Sequence, residues 1–149
     1  MHTLAQACLR GVPPEVEAIA REEGLTSHAA ARAVARGRIV IPANPARPHR
    51  ICAIGEGCRV RVNVNIGTSG ARCDEDLEVE KAKAALREGA DTLMDLSTGG
   101  DLARIRRRIL ELDVPVGTVP IYEAVRRAGS AADVDADLLF SVIREHCKQ

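Results

Sequence analysis

Aromatic side chains are nearly missing from this chain: it has one tyrosine, one phenylalanine and no tryptophan in 149 residues. Its core must therefore be built from aliphatic residues, and Tyr122, the one tyrosine, stands out among them. Net charge is missing too. The 21 basic residues balance 21 acidic ones, leaving no long-range field to draw in nucleic acid or a membrane surface. No apolar run approaches the roughly 20 residues of a membrane span, and the N-terminus MHTLAQACLRG lacks the basic stretch and apolar block of an export signal. The expectation is a cytoplasmic protein with no nucleic-acid and no membrane partner.

Metal-binding spacings are lacking as well. Cys8, Cys52, Cys58, Cys73 and Cys147 are odd in number and irregular in spacing, and no two are separated by a pair of residues. They offer neither a zinc knuckle nor an iron–sulfur ligand set, and read as reduced thiols packed as small hydrophobes. His2, His28, His49 and His146 are equally scattered and are expected at surface or capping positions.

What is present is a rhythm. Short aliphatic runs break into polar or glycine-rich elbows and then helical patterns: NVNIGTSG from Asn63, LMDLSTGG from Leu93 and VGTVPIY from Val116. Continuously apolar runs predict buried parallel strands, and the elbows lie where the C-terminal ends of such strands open onto ligand sites. The predicted helices span residues 74–88, 101–112, 121–127 and 135–147. The first opens on Asp74, Glu75, Asp76 and Glu78 and buries Val79, Ala82, Ala85 and Leu86; the last buries Leu138, Leu139, Val142 and Ile143. In the second, the stripe Leu102, Ile105, Ile109 and Leu112 leaves Arg104, Arg106, Arg107 and Arg108 mostly on a solvated outer face.

Before residue 57 the pattern changes. Glycines punctuate short helices ending near Arg10, over 14–23 and over 27–36. A β-like run at 38–41 meets PANPARP, which excludes both helix and central strand. Two further runs, 49–54 and 59–65, separated by Gly-Glu-Gly, suit a hairpin or a tight strand-to-strand turn. The domain boundary is therefore expected near residue 57, with a helical arm and hairpin entry over 1–57 and a partial βα barrel over 58–149. Three parallel strands are too few to close a barrel, and 149 residues fall short of the roughly 250 of a complete (β/α)8 fold.

The elbows carry the candidate chemistry. Asn63 and Asn65, two apart in a strand, share a face and offer donors and an acceptor without charge. The alternative is that they satisfy only local backbone. Gly67, Thr68, Ser69 and Gly70 suit either a phosphate cradle of backbone N–H groups or a plain turn. Met94 suits core filling or a thioether laid against a ring. Asp95 suits a base, a ligand or a turn acceptor. Tyr122, directly after a strand and Pro120, suits a site residue whose hydroxyl seeks a polar partner better than core filling.

IVIPAN at 39–44, VNVNIGTS at 62–69, GADTLMDLSTGG at 89–100 and PVGTVPIYEA at 115–124 together resemble the N-terminal part of the phosphomethylpyrimidine synthases, the ThiC family of thiamine biosynthesis. The likeness runs nearly end to end and in order. It implies a TIM-like barrel, commonly dimeric, of which this chain holds a small helical arm and the first three βα units. It also implies a radical S-adenosylmethionine lyase that turns 5-aminoimidazole ribonucleotide into 4-amino-5-hydroxymethyl-2-methylpyrimidine phosphate, with formate and carbon monoxide released. The family's substrate contacts fall on Asn65, Met94 and Tyr122. S-adenosylmethionine, an iron–sulfur cluster and zinc are implied by the family, with no ligands for cluster or zinc identified here. The catalytic residues are unknown.

The departures are Val64 where alanine is usual, and the altered stretch PARPHRICAIGEG after IPAN. The family's later substrate motifs, zinc histidines and three-cysteine motif have no counterpart. The expectation is a truncated or split synthase, inactive alone, that works with the missing C-terminal part of the barrel or a homodimer partner. The alternatives are a non-catalytic nucleotide-binding or assembly module, or a non-functional fragment.

Overall fold

The structure, a computed structural model, describes residues 3–44 and 47–149. His2 and the Pro45–Ala46 part of the proline-rich loop lie outside the described residues. The chain divides into two compact units, Met1–Ala43 with Arg50–Arg61, and Asn44–His49 with Val62–Gln149.

In the first unit, helices α1 (Leu4–Cys8), α2 (Pro14–Glu22) and α3 (Ser27–Ala35) start where the sequence caps them. Thr3 and Gln6 form a reciprocal capping box, α2 opens on Pro14, and Thr26 accepts the Ala29 N–H. Val16, Ile19, Ala20, Ala30, Ala31 and Val34 form their core together with Ile39 and Ala53. Strand β1 (Ile39–Val40) pairs antiparallel with β2 (Ile54–Gly55).

This pairing replaces the predicted hairpin between 49–54 and 59–65. Ile39 is buried and claims Gly55 as its partner, while the Glu56 N–H donates to the Arg38 carbonyl at 3.0 Å. The chain beyond the turn is held otherwise. The Arg59 N–H donates to Glu23, Arg61 Nε donates to the Ala53 carbonyl, and the Arg61 guanidinium pairs with Glu22 and Glu23. Those anchors lead residues 59–61 away from the turn, and Val60 is left 89% exposed.

The second unit alternates strand and helix. Its elements are β3 (Asn63–Ile66), α4 (Glu75–Arg87), β4 (Thr92–Asp95), α5 (Leu102–Leu110), β5 (Val116–Thr118), α6 (Pro120–Ala128) and α7 (Ala136–Cys147), with a 3-10 turn before α7. Asp74, Asp101 and Asp135 cap α4, α5 and α7 by accepting the N–H groups of Leu77, Arg104 and Leu138. The three strands are parallel in the order β3-β4-β5.

The core is aliphatic, as the missing aromatics require. Ile66, Ala82, Leu93, Ile105, Ile109 and Val114 form one cluster, in which each large side chain contributes about 1.5–3 kcal/mol by burial. Arg47 fixes the end of α5, its guanidinium donating to the carbonyls of Leu110, Leu112 and Val114 at 2.9 Å each. Burial lowers the guanidinium's pKa, with Asp113 opposing.

Three expectations about packing are corrected. The strands are buried on one face only: Leu93 and Asp95 are buried while Asn63 and Asn65 are exposed. Arg106 is not solvated but 4% exposed, beneath α6 and α7, where Glu123 meets its charge. Of the residues expected to be buried on α7, Val142 alone is fully buried; Leu138, Leu139 and Ile143 are half-buried.

Candidate functional site

Side chains alternate along each strand, so the register decides which residues meet. Asn63 pairs with Thr92, Asn65 with Met94, and Met94 with Gly117. These five therefore share the open face of the sheet. Val64, Ile66, Leu93, Asp95, Val116 and Thr118 take the helix-covered face. Asn65, Met94 and Gly117 form a row one residue short of the C-terminal ends of β3, β4 and β5.

The row is polar at one end and flat at the other. Thr92 Oγ1 donates to Asn63 Oδ1 at 2.9 Å, and Asn63 Nδ2 donates to Asn65 Oδ1 at 3.1 Å. Beside them the Met94 thioether lies across Gly117. A Cβ on Gly117 would come within 2.8 Å of both Met94 Sδ and Cε. A glycine inside a strand often marks such a close approach, so the motif held the signal for Gly117 although its role went unread.

Tyr122 stands apart from this row. It lies on the first turn of α6, 45% exposed, its N–H donating to the Val119 carbonyl at 3.1 Å. Because α6 follows β5 directly, Tyr122 sits beyond the C-terminal end of the sheet, the edge toward which Asn65 and Met94 also lie. The structure thus joins two of the three sequence-predicted residues by register and sets the third at the same edge.

The elbow after β3 is a turn rather than an anion cradle. The Gly67 N–H donates to Glu78 Oε2 at 2.8 Å, the Thr68 N–H to Ser97 Oγ at 3.2 Å, and the Ser69 N–H to the Arg72 carbonyl at 2.8 Å. Thr68 Oγ1 donates to the Gly99 carbonyl at 2.6 Å, tying this elbow to the next. Gly67 adopts φ +147°, and a Cβ there would meet Ser97 N at 2.5 Å. Asp95 is likewise a turn acceptor, taking the Ser97 N–H at 3.0 Å.

A buried charged cluster lies on the helix side, at the end of β5. Glu123 Oε2 accepts from Arg106 Nη1 at 3.0 Å and lies 2.9 Å from His146 Nε2, while Arg127 bonds Glu123 Oε1. His146 Nδ1 meets Thr118 Oγ1 at 2.9 Å. Burial would raise the Glu123 carboxyl, but hydrogen bonds from His146, Arg106 and Arg127 outweigh it and hold the group at about 2. His146 is therefore a buried polar partner, not the surface or capping residue expected. Cys52 is buried, whereas Cys73 and Cys147 are exposed, contrary to packing as small hydrophobes.

Among the described residues no group of three His, Cys, Asp or Glu side chains gathers as metal ligands. These donors do not fit an iron–sulfur cluster. Nor is any helix among the described residues long and apolar enough to cross a membrane.

Comparison with known proteins extends this geometry. The chain is 53% identical over 97% of its length to a phosphomethylpyrimidine synthase of Methanopyrus kandleri, covering 35% of that protein. It is 49% identical over 99% of its length to a phosphomethylpyrimidine synthase of Thermus thermophilus, again covering 35%. A 5-hydroxybenzimidazole synthase of Geobacter sulfurreducens is 44% identical over 91% of the chain, with 32% of that protein covered. The chain thus spans about a third of the length of these relatives. The Radical SAM ThiC family matches residues 3–149, nearly every residue from the capping box of α1 to the end of the chain, and the chain belongs to that family.

Proposed function

We propose that this chain carries part of the substrate pocket of a phosphomethylpyrimidine synthase. In this reading its three parallel strands are the first of a TIM-like (β/α)8 barrel. The remaining strands, in the same polypeptide or a separate chain, would face the row Asn65, Met94 and Gly117. The reaction is the cytoplasmic conversion of 5-aminoimidazole ribonucleotide to 4-amino-5-hydroxymethyl-2-methylpyrimidine phosphate in thiamine biosynthesis. The family name implies S-adenosylmethionine and an iron–sulfur cluster, whose chemistry is to supply the radical. The residues of this chain bind and orient.

The observation that carries the reading is the register. It sets a carboxamide beside a flattened thioether at the C-terminal edge of a parallel sheet, where ligands bind in such folds. The Asn65 amide hydrogen-bonds the nucleotide, Met94 packs against the imidazole plane, and the Tyr122 phenol adds a second hydrogen bond from the edge.

Calorimetric titration of 5-aminoimidazole ribonucleotide into the chain tests this. Saturable binding is expected, weakened about tenfold by Asn65→Ala or Tyr122→Phe, which is the effect of one lost hydrogen bond. Absence of heat at millimolar nucleotide, or affinity in both variants equal to that of the unsubstituted chain, would refute it.

A further inference from the structure

We propose that Gly117 is a specificity-determining residue: having no Cβ, it lets the Met94 thioether lie down over β5 as a platform for a flat heteroaromatic ring, so that the pocket selects its ligand by the ring rather than by the sugar phosphate. This rests on the substrate-pocket reading of the same sheet face.

A glycine inside a strand weakens it and gives it nothing to pack, so its presence needs a reason. The backbone supplies none here. Gly117 is not among the glycines of positive φ, and its conformation admits any residue. Nor does the main chain crowd it. Beyond its own chain neighbours, the nearest backbone atom to an added Cβ is the Leu93 carbonyl oxygen at 3.9 Å, an ordinary contact, whereas a Cβ on Gly67 or Gly99 would meet backbone at 2.5 and 2.2 Å. The one obstruction at Gly117 is Met94, whose Sδ and Cε would each lie 2.8 Å from that Cβ.

Equal distances to both ends of the Sδ–Cε bond set the bond broadside to the missing Cβ. The thioether thus fills the space that a side chain at 117 would take. Met94 starts on β4 beside Asn65, the register carries it over β5, and it is only half-buried. Its outer side is open to a ligand held by the Asn65 amide. A polarizable thioether packs favourably against an aromatic ring; a puckered, hydroxylated sugar gains little from it. An alanine at 117 would push the thioether up into the space the ring needs and leave the sugar phosphate alone. Gly117 acts through Met94, so its effect should vanish once Met94 is removed.

The test is calorimetry on the chain and its Gly117→Ala, Met94→Ala and doubly substituted forms. The probes are 5-aminoimidazole ribonucleotide and ribose 5-phosphate, the same sugar phosphate without the ring. Gly117→Ala should weaken nucleotide binding about two- to tenfold, the range of one sulfur–aromatic contact, and leave ribose 5-phosphate within about twofold. Nucleotide that saturates where ribose 5-phosphate gives no heat is the same preference at its limit. In the Met94→Ala background, Gly117→Ala should change nucleotide affinity no further. NMR supplies the signature of ring contact: Met1 and Met94 are the chain's two methionines, and the Met94 methyl signal should move upfield with nucleotide and stay still with ribose 5-phosphate.

Equal weakening for both probes would overturn the Gly117 role, as would a Gly117→Ala effect that persists in full without Met94. So would a Met94 methyl signal indifferent to bound nucleotide, which decides the matter even where Gly117→Ala does not fold. Nucleotide binding that Asn65→Ala weakens and Gly117→Ala leaves unchanged refutes the Gly117 role alone. No nucleotide binding by the unsubstituted chain refutes the pocket reading, and the role with it.

Discussion

Replacing Glu123 by glutamine isolates what the buried cluster contributes to the second unit. The carboxylate is almost fully buried and receives Arg106, His146 and Arg127 on its two oxygens. Glutamine keeps the shape and one acceptor, but turns the other oxygen into a donor facing donors. It also strips the neutralising charge from Arg106, which is 4% exposed and whose Nη2 already has no partner. Leaving one member of a buried ion pair uncompensated costs about 3–5 kcal/mol. The acidity gives an independent figure: a carboxyl held at about 2 rather than the ordinary 4.5 carries on the order of 3 kcal/mol of stability.

The sign of the pH dependence follows. The folded pKa lies below the unfolded one, so the contribution is complete above about 4.5 and is lost as pH falls toward about 2. Urea unfolding followed by circular dichroism should show Glu123→Gln about 3 kcal/mol less stable than the native chain at pH 7. The difference should shrink as pH falls from about 4.5 toward 2. A difference below about 1 kcal/mol, or one that does not change with pH, would refute the reasoning.

Two further substitutions probe the frame of the site. Arg47→Lys should destabilise by about 1–2 kcal/mol in the same unfolding assay, because one ammonium cannot reach the three carbonyls of Leu110, Leu112 and Val114 as the guanidinium fork does. Stability unchanged within error would show that this cap contributes nothing. Gly117→Ala should cost only about 1 kcal/mol, since the obstruction is the movable end of Met94. It should nevertheless lift the thioether and weaken nucleotide binding; unaltered affinity in a folded variant would remove Met94 from the pocket floor.

Much of the frame was legible in the sequence because its signals are local. Aspartates at 74, 101 and 135 mark helix starts as caps, and the stripe Leu102, Ile105, Ile109 fixes which face of α5 is buried. The three aliphatic runs gave the parallel strands, and the two-residue spacing of Asn63 and Asn65 gave their shared face. What was missed depends on partners distant in sequence. Arg106 lies at the edge of the apolar stripe, and only the packing of α6 and α7 brings Glu123 and His146 to it. The hairpin was misread because Gly-Glu-Gly is compatible with either flank as partner, and the choice fell to buried Ile39. Thr92 carried no signal until the register placed it opposite Asn63.

The most direct measurement is turnover in a chimera, with residues 3–149 of this chain replacing the matching third of the Methanopyrus kandleri phosphomethylpyrimidine synthase. Pyrimidine phosphate should form from 5-aminoimidazole ribonucleotide, and Asn65→Ala should raise KM about tenfold, the effect of one lost substrate hydrogen bond. A folded chimera in which Asn65→Ala, Met94→Ala and Tyr122→Phe all turn over like the unsubstituted protein would contradict the assignment of the substrate pocket to this sheet.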